Sequence, residues 1–243
     1  MRVGLLSDVH ANLEALQAVL KSGHQRGVAQ WICLGDLVGY GADPLACIQL
    51  VREHCQTVLM GNHDAAVAGL MDTRAFNAVA RTAVQWTVEQ LSAAERYYLA
   101  SLPLEHTDGI VHCVHAEPHR PAAWGYVADV QAASAALDHT SASLCFVGHS
   151  HRAFVCARHG DRMHQCTVRS GACELNGAAR YLANVGSVGQ PRDGEWRSCY
   201  GIWDQEQHAL ELVRCPYDIE STQQKIRAVG LPNFLADRLA QGH

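Results

Sequence analysis

The sequence predicts an α/β fold, one domain built on two sheets. Three observations point that way. Short apolar strands alternate with amphipathic helices through the first half of the chain, the signature of βαβ units and a largely parallel sheet. The last third changes period and reads as strands with little room for helices, which predicts a second, mostly antiparallel sheet. No internal repeat, low-complexity run or long linker divides the two parts.

Val3–Leu6 is the first apolar strand, and Leu13, Leu16 and Leu20 then recur on one face of a helix. Trp31–Leu34 is the second strand. Asp43-Pro44 opens a helix, with Asp as N-cap and Pro at the first helical position. Val58–Met60 is the third strand. Phe76, Val79, Ala83, Trp86 and Leu91 keep helical spacing, and Ser92-Ala93-Ala94-Glu95 is a capping box that starts another helix. Pro103 breaks the pattern. Ile110–Val114 and Leu144–Val147 are further strands, with an Ala-rich helix at Val130–Leu137 between them. The late strands are Phe154–Ala157, Met163–Val168, Tyr181–Asn184, Tyr200–Trp203 and Ala209–Val213, and Gly230-Leu231-Pro232 starts a short C-terminal helix.

At 243 residues, 48% hydrophobic and 18% charged, the chain can bury a full core. Its 19 basic and 24 acidic residues give a net charge of −5, which argues against a general nucleic-acid-coating surface but not against a local phosphate site. The unusual entries are 15 His and 10 Cys. No cysteine pair forms C-x-x-C, and Cys33, Cys113, Cys145 and Cys156 sit in apolar runs, so the cysteines read as reduced and structural. The N-terminus enters a strand at once and meets an acid at Asp8, unlike a signal peptide, and no apolar run approaches a membrane span. A cytoplasmic enzyme is the expectation.

Each early strand ends in a polar cluster: Asp8-Val9-His10, Gly35-Asp36, Gly61-Asn62-His63-Asp64, His115, and Gly148-His149-Ser150-His151. Ligand crevices in open α/β sheets lie outside the carboxyl ends of the strands, so these loops should converge. Asp, His and Asn without Cys suit Mn²⁺, Fe, Zn²⁺ or Co²⁺ better than Ca²⁺ or Mg²⁺. Seven such residues are too many for one ion. Two ions about 3.5–4 Å apart need a bridging carboxylate, the usual two-metal hydrolase spacing.

These blocks, in this order, resemble the calcineurin-like metallophosphoesterases. The likeness extends to Gly35-Asp36-Leu37-Val38-Gly39-Tyr40-Gly41, Trp86-Thr87, Asn184-Val185-Gly186-Ser187-Val188-Gly189-Gln190-Pro191 and the Gly230-Leu231-Pro232 tail, which look like a small bacterial branch often described as diadenosine tetraphosphatase-like. The resemblance implies a four-layer α-β-β-α sandwich of two mixed sheets spanning residues 1–243, with a helical insertion at about 65–102 walling the cleft. It implies that Asp8, His10 and His151 hold one metal, Asn62, His115 and His149 the other, and that Asp36 bridges. The cofactors would be two divalent ions, Mn or Fe first, with Zn, Co or Ni as alternatives. One departure stands out: His115-Ala116-Glu117-Pro118 replaces the branch's frequent His-Gly-Ser-Pro, which bears on substrate preference.

The expected reaction is hydrolysis of a phosphate mono- or diester, with a lean to nucleotide-type or other phosphodiester substrates. His63 follows a metal ligand directly and suits the general acid for the leaving oxygen. Asp64 is read as orienting its ring. Asn12 either donates to phosphate or caps the first helix. Arg192 is a candidate phosphate contact, because a guanidinium matches phosphate bidentately. His112 should point away from the site on the alternate strand face, whereas His119, on the loop after His115, is a weaker substrate contact. Arg74, Asn77 and Arg81 are further candidates on the helical wall. The expected partner is a small phosphate ester, without a membrane, with nucleic acid disfavoured but left open and a homo-oligomer left open. A non-catalytic scaffold, a nuclease or a protein phosphatase on the same centre are the alternatives, and all eight candidate groups being present favours catalysis.

Overall fold

The computed structural model describes residues 1–166 and 172–243. Twelve strands are described: β1 (Arg2–Leu6), β2 (Val28–Cys33), β3 (Cys55–Val58), β4 (Glu105–Asp108), β5 (Val111–Val114), β6 (Leu144–Val147), β7 (Phe154–His159), β8 (Arg162–Cys166), β9 (Ala172–Glu174), β10 (Arg180–Asn184), β11 (Ser198–Asp204) and β12 (Ala209–Cys215). The helices are α1 (Leu13–Gln25), α2 (Pro44–His54), α3 (Asn62–Val67), α4 (Ala78–Gln90), α5 (Ala93–Ala100), α6 (Val130–Asp138), α7 (Ile219–Ala228) and α8 (Asn233–Asp237).

The strands form two six-stranded sheets, β3-β2-β1-β11-β12-β9 (sheet one) and β4-β5-β6-β10-β7-β8 (sheet two). Both are mixed. In sheet one β1, β2 and β3 run parallel, and β11 adds antiparallel to β1, with Val3 opposite Trp203. In sheet two β5, β6 and β10 are parallel, and β7 adds antiparallel to β10. The sequence reading put the late strands in a separate, mostly antiparallel sheet. They instead complete both sheets, because βαβ units at β1–β3 and β5–β6 leave each parallel half with an open edge that only later strands can pair.

Strand alternation explains the layers. Leu5, Leu144, Phe146, Val155, Ala183 and Leu210 belong to one buried cluster drawn from both sheets, so the sheets stack face to face. The alternate residues face outward: Leu6, Cys33 and Tyr200 pack on Leu16, Val19, Ile48 and Val51 of α1 and α2, and Cys145, Val147 and Leu182 pack on Ala133, Ala136 and Leu137 of α6. The order is helix, sheet, sheet, helix.

Two local expectations change. Asp43 sits at the N-cap of α2, but its side chain makes no capping bond. It accepts from Lys225 Nζ at 2.9 Å, and Lys225 also pairs with Glu14, tying α7 to the starts of α1 and α2. Helix α7 is absent from the sequence reading, although Asp218 caps it and Ile219, Thr222 and Ile226 share its inner face. The expected strand Met163–Val168 is seen to Cys166, and its last two positions lie outside the described residues. Among the described residues no helix is long and apolar enough to cross a membrane.

Candidate metal centre

Parallel strands of both sheets deliver their carboxyl ends to one place. Asp8 and His10 follow β1, Asp36 follows β2, Asn62 opens α3 after β3, His115 follows β5, and His149 and His151 follow β6. Backbone bonds stitch the loops together: Asp8 N–H donates to Gly35 O (3.0 Å), His10 N–H to Asp36 O (2.9 Å), Gly148 N–H to His115 O (2.9 Å) and Gly189 N–H to Asp8 O (2.9 Å). Asp8, His10, Asp36, His149 and His151 all hold left-handed backbone, with φ between 49° and 63°. Such angles cost non-glycine residues about 1–3 kcal/mol each and persist where the surroundings enforce them. Two glycines permit the close approach. A Cβ on Gly61 would meet Asp36 Oδ1 at 2.1 Å, and one on Gly148 would meet Ser7 Oγ at 1.8 Å.

The side chains form two groups that share one carboxylate. Asp8, His10, Asp36 and His151 offer ligand atoms within 4.8 Å of one another, and so do Asp36, His115 and His149. Imidazole orientation is set from behind. The Nδ1 atoms of His10, His115 and His151 donate to the carbonyls of Val38 (3.0 Å), Leu34 (3.0 Å) and Gln190 (2.6 Å), which turns Nε2 inward. His149 is reversed: Nε2 donates to Trp124 O at 3.0 Å, leaving Nδ1 for the group.

These atoms fit divalent cations. His10 Nε2 and His151 Nε2 lie 3.1 Å apart, both unprotonated when Nδ1 donates, so two lone pairs face each other. Asp8 Oδ1, Asn62 Oδ1 and His115 Nε2 are buried and have no hydrogen-bond partner. Orphaned acceptors of this kind are costly unless a cation answers them. Residues 1–208 match the calcineurin-like phosphoesterase superfamily domain. The chain belongs to this superfamily.

Individual relatives agree. An uncharacterised protein of Methanocaldococcus jannaschii is 38% identical over 99% of this chain and 98% of its own length. The crystal structure of a metallophosphoesterase from Sphaerobacter thermophilus is 38% identical, covers 100% of this chain and 99% of its own, and superposes with a TM-score of 0.87. A hypothetical protein of Pyrococcus horikoshii, 18% identical with coverage of 100% and 98%, shares the fold at a TM-score of 0.78.

The charges at this candidate centre act on one another. Burial disfavours the charge on Asp36, but His115, His63 and His10 outweigh it and hold the carboxyl well below the usual range. Burial also opposes the charge on His115, yet Asp36 and Asp8 push it up to about 9. Burial dominates elsewhere, lowering His149 to about 3 and His63 to about 4.

The other candidates separate. His63 lines the cleft, with its ring 4.4 Å from Tyr40, 4.8 Å from Phe76 and 4.9 Å from His10. Its Nδ1 is buried without a partner, against Gly39. Asp64 makes no hydrogen bond to the His63 ring. As the third residue of α3 its carboxylate reaches back to Gly61 N–H (3.0 Å) and across to Leu37 N–H (2.9 Å) and Val38 N–H (3.3 Å), so it clamps the Asp36 loop to the helix rather than orienting the histidine. Asn12 takes the capping role: Oδ1 accepts from Ala15 N–H at 3.1 Å, and Nδ2 donates to Gly189 O at 2.9 Å. Both ends of its amide are thus engaged away from the cleft, which removes the reason to assign it to phosphate. Arg192 does line the cleft.

His112 bonds Thr140 Oγ1 (2.9 Å) and Glu105 (3.0 Å) on the helix side of sheet two, as the strand alternation predicts. His119 is exposed and packs on His139, with ring centroids 3.9 Å apart. Arg74 is exposed and pairs with Asp72, whereas Asn77 both caps α4 and lines the cleft.

Sequence reasoning missed the supports. Asn184 Nδ2 donates to Gly148 O (2.7 Å) and Ser150 Oγ (2.9 Å), and Ser187 Oγ donates to Asp8 O (2.8 Å). The Asn184–Pro191 segment carries the family likeness in sequence without announcing these bonds, and Trp124 acts through a carbonyl that no side-chain pattern reveals. Tyr126, whose ring stacks on His149 at 4.1 Å and 13°, was also missed.

Proposed function

We propose that the protein hydrolyses phosphate mono- or diesters, with two divalent cations held by Asp8, His10, Asp36 and His151 on one side and by Asp36, Asn62, His115 and His149 on the other. The observation that carries this reading is the membership of Asp36 in both ligand groups. Bound cations of this kind lower the pKa of water and offset charge on phosphoryl oxygens. The mixed oxygen and nitrogen donors favour Mn or Fe, with Zn, Co or Ni as alternatives. Ten cysteines left as thiols suit a reducing compartment, so we place the activity in the cytoplasm.

The chain's own groups account for the remaining needs. Arg192 presents a guanidinium to the phosphoryl oxygens. His63 delivers a proton to the leaving oxygen from Nε2, because Nδ1 is sealed against Gly39. Burial keeps this ring neutral, and the negative charge of a phosphate beside it favours the protonated form. Ala75, Phe76, Asn77 and Ala80 supply one side of the cleft, which supports the helical segment 65–102 as its wall. The cleft offers about 150 Å³ and opens to solvent. That admits a phosphoryl group, and Tyr126 on the lining offers a flat face for a nucleotide-type or aryl group.

Metal analysis of protein equilibrated with Mn²⁺, together with turnover of p-nitrophenyl phosphate and bis-p-nitrophenyl phosphate, tests the proposal. Two ions per chain and hydrolysis of one or both substrates are expected. Two bound ions with no turnover on any phosphate ester would point to a scaffold, and fewer than two ions would reject the shared Asp36.

A further inference from the structure

The imidazoles of the two ligand groups are tethered from behind. His10, His115, His149 and His151 each donate from one ring nitrogen to a backbone carbonyl, those of Val38, Leu34, Trp124 and Gln190. His63 is the exception in this cleft. Among the described residues no hydrogen bond reaches its ring, and Nδ1 is buried without a partner. An imidazole turns broadly about its outer side-chain bond, yet a proton donor must sit within hydrogen-bond reach of the leaving atom. Its surroundings are aromatic instead. The Tyr40 ring lies 4.4 Å away and the Phe76 ring 4.8 Å, and Tyr40 is buried where Phe76 is half-buried. Tyr40 also lies 4.6 Å from the His10 ring and 5.6 Å from Arg192 Cζ. Those two have tethers of their own, His10 to Val38 O and Arg192 Nη2 to the Gln190 amide oxygen at 2.8 Å, so His63 alone depends on packing.

The backbone beneath Tyr40 serves this contact. Tyr40 is the middle residue of a three-residue turn, closed by Gly41 N–H donating to Gly39 O at 2.8 Å, and its φ is 64°. A three-residue turn with positive φ is the rare, strained kind, and a bulky side chain there is an outlier. Glycine or asparagine would relieve the strain. The flanking glycines are pinned as well. A Cβ on Gly39 would meet His63 Nδ1 at 2.4 Å, and one on Gly41 would meet His10 O at 2.4 Å. The turn is thus pressed between His63 and the His10 loop. Tyr40 also packs with Ala80, Ile226 and Leu235, which explains its burial but not a large ring on strained backbone at the cleft lining.

We propose that Tyr40 is the positioning residue for His63. Its ring, carried on the strained Gly39-Tyr40-Gly41 turn, holds the imidazole with Nε2 toward the leaving oxygen. A carboxylate does this for a catalytic histidine elsewhere through a hydrogen bond; here the contact is ring against ring, and the Tyr40 hydroxyl has no part in it. Phe76 is the second wall. This rests on the phosphoesterase reading above, with His63 as the acid.

Turnover of a p-nitrophenyl ester of phosphate and of the corresponding phenyl ester by Mn²⁺-loaded protein tests this role, because the more basic phenolate is the one that needs the acid. Tyr40→Leu is expected to lose about 10²-fold in kcat on the phenyl ester, the cost of a displaced catalytic group, and less than about threefold on the p-nitrophenyl ester, with both ions retained. Tyr40→Phe keeps the ring and should stay within about threefold of wild type on both. In a His63→Ala background Tyr40→Leu should cost nothing further, since a residue that acts only through His63 falls silent once His63 is gone. NMR of the metal-free protein reads the contact without turnover. The Hε1 resonance of His63, identified by its absence from His63→Ala, should move toward the free-imidazole position in Tyr40→Leu, as the ring current is lost, but not in Tyr40→Phe. Equal losses on both esters, a further loss in the His63→Ala background, a lost ion or an unmoved Hε1 resonance would each overturn the role. If Tyr40→Leu does not fold, Tyr40→Asn, which suits the left-handed backbone, is judged by the same outcomes. Full activity of His63→Ala on both esters overturns the role and leaves the phosphoesterase reading standing, whereas no turnover of either ester by the wild type removes both.

Discussion

Sheet one contributes Asp8, His10, Asp36 and Asn62 to the candidate centre, whereas sheet two contributes His115, His149 and His151 and no oxygen donor. The two sheets follow the same plan of parallel strands completed by antiparallel ones, yet their chemistry is unequal. Every candidate oxygen ligand, and with them the negative charge, comes from sheet one, and sheet two adds imidazoles. Neither sheet alone carries a complete set for two cations. The centre exists only at the seam, so metal affinity and sheet stacking are linked: whatever binds the closed sandwich stabilises it.

The largest expected effects come from breaking this asymmetry on either side. Asp36→Asn removes the shared carboxylate and should lose both ions and about 10³-fold or more in turnover, since ligand loss abolishes the water-activating site. His149→Ala, from sheet two, should lose one ion and keep the other. Metal content per chain decides; equal losses in the two variants would erase the distinction between the sheets.

Next comes His63→Ala, at a residue that is not itself a candidate ligand. It should retain both ions while kcat falls about 10²–10⁴-fold on substrates with poor leaving groups, the usual contribution of a positioned acid. Full activity would remove His63 from the mechanism. Phe146→Ala then probes the seam from its apolar side. Phe146 is 1% exposed in the inter-sheet cluster, with its ring 6.1 Å from Trp203 of the opposite sheet. Chemical denaturation should show a loss of about 3–5 kcal/mol. Chelator should destabilise wild type too, by about 3 kcal/mol for each ion present at 100 times its Kd, and an EDTA-insensitive melting temperature would unlink the metals from the seam.

The smallest effect is on the pH dependence of the metal-free protein. His63 and His149 are held by burial at about 4 and about 3, below the ordinary histidine value of 6.5. The unfolded chain binds their protons first, so their stabilisation is full above pH 6.5 and is lost as pH falls towards 4 and 3. His115, raised to about 9, has the opposite sign: its stabilisation is full below 6.5 and is lost as pH rises through 9. Metal-free protein should therefore melt highest near neutrality, and a melting temperature that kept rising below pH 6 would contradict these environments.

How much of this could be read from sequence depends on how local each feature is. Polar clusters after short apolar strands are local, and so the seven candidate ligands were legible, as was the outward face of His112. Sheet membership is not local. Nothing near Val3 announces that Trp203 lies beside it, and alternation looks the same in either sheet. Asp64 was misread because adjacency to His63 in the chain suggested contact in space, whereas a carboxylate in the first turn of a helix turns back to free N–H groups. The carbonyls of Val38, Leu34, Gln190 and Trp124 that set the imidazoles were illegible, since every residue carries one.

The pairing of β1 with β11 bears on how the protein is made. About 200 residues separate Val3 from its partner Trp203, and at about 5–20 residues per second the ribosome takes about 10–40 s to supply it. Through that interval the first strand has one edge uncovered, and Gly189, which braces Asp8, is itself among the later residues to emerge. Ion capture at the complete centre is thus confined to the closing stage of synthesis, when nearly the whole chain has left the tunnel.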